Sequence, residues 1–380
     1  MVGILSRVQF AFTIAFHFLF VPLSVGLIIF VAIFETIYFI TGNEKYKLLS
    51  HFWSELFIIS YAFGIVTGIA MTIQFGTNWA NFSIFMGDVF GSPLALEALL
   101  AFFLESTFTG IWIFRRHKIS SLFRLITVYM ITLGTTLSAF WIITANGFMQ
   151  HPVGAVNVGD KMELVSFKEL SFNPYAWWIF IHNHVSAILL GGFLVVSVSA
   201  YLLLKGKKEE REAYITSIKF GTWVILITSI LQPIIGNLNM KYIATVQPTK
   251  IAAISGGSPF VQSAFALMVI LGILFIGLAI FTTFFRDKFL NNKVMLKVAV
   301  WMLPLPFITI LAGWVVTEVG RQPWIVYGEL LVSDAVSDVP VEQVWFSLIS
   351  IMVYYFVLGL LNFYLMKSRI KEGFVYKGVR

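Results

Sequence analysis

There is no cysteine anywhere in the 380 residues of this chain. That excludes disulfides, thiolate-ligated iron–sulfur clusters and covalent haem attachment through a CxxCH motif. Any metal or haem must be held by His, Met or carboxylate. Charge is scarce too: 12% of residues are charged and 58% are hydrophobic, with a mean hydropathy of +0.87. Soluble domains carry about 25% charged residues, so the composition is that of a polytopic membrane protein. The net charge of +7 does not point to nucleic acid. The basic residues sit in short segments between apolar runs, where they act as topology signals and lipid-headgroup contacts. No internal repeat, low-complexity tract or soluble domain is visible. The N-terminal apolar run is too long for a signal-peptide core and has no small-residue cleavage site, so it reads as a retained helix.

Apolar runs long enough to span a bilayer occur at 8–40, 52–75, 94–114, 123–147, 176–204, 218–237, 261–285, 295–317 and 343–366. The expected fold is therefore all-α: one membrane domain over 1–380, a bundle of nine transmembrane helices with termini on opposite sides. The segments 41–51, 115–124, 205–219, 286–297 and the tail from 367 hold 20 of the 26 Lys and Arg residues. By the positive-inside rule those segments are cytoplasmic, which puts the N-terminus outside and the C-terminus in the cytoplasm.

One stretch concentrates the anomalies. Pro93–Arg116 (PLALEALLAFFLESTFTGIWIFRR) has the length of one crossing yet holds Glu97 and Glu105 inside its apolar run. A carboxylate at membrane depth is costly, so it faces a bundle interior and marks a proton, ion or cofactor site. The two are eight residues apart, about 12 Å of rise and about 80° of rotation, and so occupy one broad face. Two protonated carboxylates bonded to neighbouring helices are the purely structural alternative.

Other unusual residues fall at similar depth in the outer half of the membrane. His17 lies about nine residues into the first helix, His182 about six into the fifth, and Met268 about seven into the seventh. Glu97 is shallow, Glu105 is near the midplane, and Glu318 ends the eighth helix, with Trp314 four residues earlier on the same face. A common layer is what a shared cofactor site requires. A His/Met pair from two helices can hold a six-coordinate haem; a packing histidine and an ordinary apolar methionine are the alternative. His184 is about 200° away from His182 and cannot face the same ligand. Pro22 is expected to kink the first helix and free carbonyls beyond His17. Arg321 can pair with Glu318, a haem propionate or lipid phosphate. Glu35 and Glu55 are expected to be solvated structural carboxylates near the cytoplasmic ends. Gly76–Pro93 reads as an ordered outer loop, and His151 as a surface residue.

The segments FHFLFVPL, QFGTNW, GDVFGSPLALEALLAFFLEST, ANGFMQHP, FALMVILG and GWVVTEVGRQPW closely resemble subunit I of the cytochrome bd oxygen reductases. The resemblance runs from near Arg7 to the end of the ninth helix. It implies three haems: a low-spin haem b (b558-type), a high-spin haem b (b595-type) and haem d, where O2 is reduced to water. It makes His182 and Met268 the ligands of the low-spin haem. His17 becomes the axial ligand of one high-spin haem and Glu318 that of the other. It places Glu97 and Glu105 near haem d and in proton delivery, and Arg321 and Trp314 around the dihaem site. It also implies a prokaryotic cytoplasmic membrane and a partner, either a second polytopic subunit or a second chain of the same type.

The chain departs from the family at the outer loop that helps bind and oxidise quinol, here only about 238–260. Lys250 in VQPTKIAAI keeps a match, but Ser255 stands where an acidic residue is expected. Ala266 replaces the arginine usual two residues before the Met ligand. The resemblance thus implies a quinol:O2 oxidoreductase with protons taken from the cytoplasm. A diverged haemoprotein with a non-quinol donor is the first alternative, favoured by the short loop. A haem-free transporter or channel using Glu97 and Glu105 is the second.

Overall fold

The computed structural model describes residues 1–205 and 210–374. Lys207, Lys208, Lys377 and Arg380, counted above among the basic residues, lie outside the described residues. Among those described, nine helices are long and apolar enough to cross a membrane. They are α1 (Val2–Thr41), α2 (Glu44–Thr77), α3 (Ala80–Arg115), α4 (Ser121–Gln150), α5 (Phe167–Lys205), α6 (Arg211–Val246), α7 (Pro259–Phe284), α8 (Lys293–Val319) and α9 (Val341–Glu372). All nine expected spans are present, most of them longer than their apolar cores.

Two interruptions matter for function. α1 breaks after His17 and resumes at Val21. Pro22 has no N–H to offer the Phe18 carbonyl one turn back, and the Phe20 carbonyl at the break accepts from the Ser24 N–H at 2.9 Å, from Ser24 Oγ at 3.0 Å and, across to α2, from Ser60 Oγ at 3.1 Å. α3 contains Pro93 and, directly after it, a π turn over Glu97–Phe102. A π turn inserts about one residue into the helix. It removes about 100° from the rotation between Glu97 and Glu105, which an ideal helix would set at about 80°. The two carboxylates are thereby brought closer to a single line facing α4.

α5 is the central helix, enclosed over most of its length, while α7 and α9 turn most of their apolar side chains outward. Backbones touch where glycines permit it, as in other membrane bundles. A Cβ added at Gly26 of α1 would come 2.9 Å from Gly191 Cα of α5. One at Gly134 of α4 would meet Glu105 Cβ of α3 at 2.8 Å. The largest core cluster lies around the C-terminal half of α1, with Phe30, Phe34, Phe52, Trp53 and Leu190 fully enclosed.

Short elements close the N-terminal face. β1 (Ala155–Asn157) pairs antiparallel with β2 (Met162–Leu164), and β3 (Trp324–Val326) with β4 (Leu330–Leu331). They pack on α3 through Trp79, Phe82, Met86 and Val89. This corrects the expectation of a loop over 76–93: from Ala80 onward it is helical, because those apolar residues recur at helical spacing and have a cap to bury against. The segment 238–260 is also largely helical, with α6 continuing to Val246 and a further turn at Pro248–Ala252.

Glu35 is a second correction. It is fully buried, not solvated, and bonds Arg124 Nη2 at 2.9 Å and Ser50 Oγ at 2.7 Å. Glu55 pairs with Arg116 at 3.4 Å and with Arg369. Arginines from two different helix ends are thus tied to one carboxylate.

Candidate functional site

Each of the unusual polar residues is set against a neighbouring helix by a specific contact. On α1, His17 Nδ1 lies 2.8 Å from Thr67 Oγ1 of α2. The Thr67 hydroxyl hydrogen is already given to the Phe63 carbonyl at 2.7 Å, so Nδ1 must be the donor to Thr67. That fixes the tautomer and leaves Nε2 with its lone pair free, the state a metal requires. Gly68 lies alongside: a Cβ there would be 3.1 Å from His17 Cε1.

His182 on α5 and Met268 on α7 repeat the pattern. A Cβ at Gly236 of α6 would sit 3.1 Å from His182 Cε1, and one at Gly313 of α8 would sit 3.3 Å from Met268 Sδ. The His182 Nδ1 is buried with no partner, and Nε2 lies 3.3 Å from the Gln232 side-chain nitrogen. Gln232 Nε2 also donates to the His182 carbonyl at 3.1 Å. His184 turns elsewhere, against Phe180 at a ring distance of 5.4 Å.

Glu318 anchors a polar cluster at the end of α8. Asn146 and Gln150 of α4 donate to its Oε1 at 2.9 and 3.2 Å, and Arg321 Nη2 reaches its Oε2 at 2.7 Å. Arg321 is buried, which excludes lipid phosphate as its partner, yet its Nε and Nη1 have none. Two orphaned N–H groups on a buried guanidinium are the signature of a missing acceptor. Trp314, a turn before, stacks edge-on against Phe18 at 4.7 Å, joining α8 to the break after His17.

Lys250 enters the same cluster from the short helical turn Pro248–Ala252. Its Nζ donates to Gln150 Oε1 at 2.7 Å and to the Tyr175 hydroxyl at 2.8 Å. Burial, then the nearby Arg321 guanidinium, hold it well below the usual lysine range, with Glu318 pulling the other way. Ser255 is exposed. Lys250 and Ser255, the two positions of this segment singled out in the sequence, therefore face different surroundings.

On α3, Glu97 accepts from Ser138 Oγ at 2.6 Å and Glu105 lies 2.6 Å from Thr135 Oγ1. Ser138 and Thr135 are one turn apart on α4, so the π turn has aimed both carboxylates at one helix face. Thr135 Oγ1 is also 2.9 Å from the Ile131 carbonyl. One hydroxyl hydrogen cannot serve both acceptors; a protonated Glu105 donating to Thr135 satisfies each contact.

The sequence matches the description "Cytochrome bd terminal oxidase subunit I" over residues 5–259 and 257–374. The chain belongs to that family. Among its relatives, cytochrome bd ubiquinol oxidase subunit 1 of Bacillus subtilis (strain 168) is 35% identical, covering 97% of this chain and 94% of the relative. Cytochrome bd-II ubiquinol oxidase subunit 1 of Escherichia coli (strain K12) is 33% identical, covering 97% and 96%. The fold matches a chain of the bd oxidase of Geobacillus thermodenitrificans with a TM-score of 0.90 and 23% identity, over 98% of this chain and 99% of that one. The protein is thus a haem-bearing, multi-pass subunit of a bd-type terminal oxidase of the cytoplasmic membrane.

The residues of this cytochrome bd subunit fit haem. His17 presents a free Nε2, Arg321 holds two unpartnered donor nitrogens suited to a carboxylate such as a propionate, and Gly68, Gly236 and Gly313 keep the neighbouring helices off the candidate ligand side chains. Sequence reading missed Gly68, Gly236, Gly313, Gln150, Ser138 and Thr135. Each earns its place only through a contact between helices far apart in sequence; ANGFMQHP did mark the Asn146 region.

Proposed function

We propose that this chain is the catalytic subunit of a bd-type quinol oxidase. His182 and Met268 would hold a low-spin haem b, and His17 and Glu318 would each supply an axial ligand to one member of the high-spin pair, haem b and haem d. The haems, when bound, supply electron storage and the O2 chemistry. The protein's own residues do the rest. Thr67 holds the His17 ring in the tautomer that can coordinate. Gln150, Asn146 and Arg321 hold the part-buried Glu318 carboxyl in place with three hydrogen bonds. Glu105 holds a proton at its carboxyl, and Glu97 lies beyond it on the same α4-facing line. With the N-terminus outside, as the basic residues indicate, protons taken from the cytoplasmic side reach Glu105 before Glu97. The outward apolar faces of α7 and α9 are suited to lipid or to a second polytopic subunit.

The observation that carries this reading is that His17, Met268 and His182 each face a glycine on an adjacent helix. The experiment is a reduced-minus-oxidised spectrum of the purified complex, with extracted haem identified and counted. Low-spin b with chlorin-type bands is expected; a colourless protein would return Glu97 and Glu105 to an ion-transport role.

A second reading keeps the haems and changes the donor. It is favoured by the burial of Lys250 and the exposed Ser255, which leave no charged pair at the outer segment to take a quinol head. Oxygen uptake by membranes given quinol, against uptake given a reduced protein donor, separates the two.

A further inference from the structure

A seam of buried polar side chains runs between α1 and α2 from the N-terminal face to His17. On α1, Ser6, Gln9, Thr13 and His17 fall within about 80° of one another, and on α2 Ser60, Thr67 and Gln74 repeat every seven residues, so two stripes face each other. Ser6, Gln9, Thr13, Thr67 and Gln74 are completely enclosed, and Asn78 nearly so. Gln74 Nε2 donates to Thr13 Oγ1 at 2.8 Å, and Asn78 Nδ2 to Gln9 Oε1 at 3.0 Å. Ser347 Oγ of α9 is 2.9 Å from the same Gln9 oxygen.

The stripes do not satisfy each other. Ser6 Oγ, Gln9 Nε2 and Gln74 Oε1 are buried without a protein partner. With the amide atoms assigned as in the contacts just given, Gln9 offers an unpartnered donor and Gln74 an unpartnered acceptor, and Thr13 Oγ1 bonds both residues, accepting from Gln74 Nε2 and lying 3.1 Å from the Gln9 carbonyl. A water that accepts from one and donates to the other completes both. Polar, enclosed orphans of this kind are where buried water is bound.

We infer that the seam is a hydrated route through which water formed at the high-spin haem pair leaves past His17 towards the N-terminal face. The hydration follows from geometry; the source of the water rests on the oxidase reading above. Reducing one O2 takes four electrons from the donor and four protons and yields two waters, which must leave an apolar bundle. Ser6, Gln9, Thr13, Thr67, Gln74 and Asn78 can pass water by exchanging hydrogen bonds. None is ionisable, so the seam has no group of its own to store a proton, unlike the Glu97–Glu105 line. Its outer end is covered by the segment around Ser337, whose N–H donates to the Asn78 carbonyl at 3.0 Å and whose Oγ accepts from Ala80 N at 2.7 Å.

The test uses the haem-loaded complex in nanodiscs. Cryo-EM at a resolution that shows water should place density at Gln9 Nε2 and Gln74 Oε1, and X-ray radiolytic labelling should modify Phe10 and Phe75, which follow Gln9 and Gln74 in the sequence and whose rings lie 6.1 Å apart across α1 and α2. A dry seam without labelling overturns the proposal. Gln74→Leu and Thr13→Val should each lower turnover roughly ten-fold, as release steps can limit turnover, with haem content and the KM for the donor unchanged. Normal turnover in a variant whose seam is shown to be dry also overturns it. Absent haem in the parent complex would instead overturn the oxidase reading, and leaves the water density to be judged by itself.

Discussion

Lys250 and Glu318 are joined through one side chain: Gln150 accepts from Lys250 Nζ on Oε1 at 2.7 Å and donates from Nε2 to the Glu318 carboxyl at 3.2 Å. The lysine therefore braces a candidate haem ligand from inside the protein. Lys250→Met should leave the KM for quinol within about two-fold while weakening retention of one high-spin haem. Loss of one buried hydrogen-bonding partner should cost about 1–3 kcal/mol in thermal unfolding. A large rise in KM with intact haem content would put Lys250 back in the donor site.

The same lysine gives a pH signature. Its value in the folded protein is lowered from 10.5, so between the lowered value and 10.5 the unfolded chain binds more protons than the folded one. Stability then rises with pH across that window. Melting temperatures of the solubilised complex taken from neutral pH upward should show this slope in the parent and lose it in Lys250→Met. An unchanged slope in the variant would mean that other groups produce it.

The glycines give the sharpest assignment of ligands. Gly236→Ala presses on His182 and Gly313→Ala on Met268, so both should perturb the same low-spin haem. Gly68→Ala presses on His17 and should perturb a different one. A second-sphere change of this kind weakens a metal site by about 10- to 100-fold. Gly272→Ala, whose added Cβ meets nothing within 4 Å, is the control. Haem-resolved difference spectra decide it: if Gly236→Ala and Gly313→Ala affected different bands, the His182/Met268 pairing would be wrong.

How much of this could be read from the sequence divides along a physical line. The nine spans were legible because a bilayer demands long apolar runs, and Pro22 announced the break after His17. The helix starting at Ala80 was hidden by the Gly, Asn and Asp of GTNWANFSIFMGDVFGSP, although Trp79, Phe82, Met86 and Val89 carry helical spacing. Candidate ligands were visible as residue types out of place in lipid. Their partners were not, because Gly68, Gly236 and Gly313 look like ordinary membrane-helix glycines until a neighbouring helix is set against them. The π turn was invisible too: nothing in EALLAF states that the backbone will add a residue there, yet it decides that Glu97 and Glu105 point at the same helix.

That alignment has a kinetic consequence. Glu105→Gln removes the proton held against Thr135 and should lower turnover by about 10²-fold, the usual worth of a positioned proton donor, with haem content near normal. Thr135→Val keeps the carboxyl and should have a much smaller effect. Stopped-flow measurement of proton uptake alongside O2 consumption separates slowed delivery from lost haem, since only the first leaves the reduced spectrum intact.

The buried Glu35–Arg124 pair tests the other half of the membrane domain. Arg124 lies over the Trp112 ring at 5.5 Å and reaches Glu35 at 2.9 Å, with both side chains almost wholly enclosed. Arg124→Met strands a carboxylate and should cost about 3–5 kcal/mol in thermal unfolding, because an uncompensated buried charge is what such a change creates. Glu35→Gln combined with Arg124→Met removes the stranded charge and should recover most of that loss. The haem spectrum should be unchanged in the double variant, since neither residue reaches the ligand layer. Failure of the double variant to recover would show that the pair is held by its packing on Trp112 and Tyr38 more than by its charge.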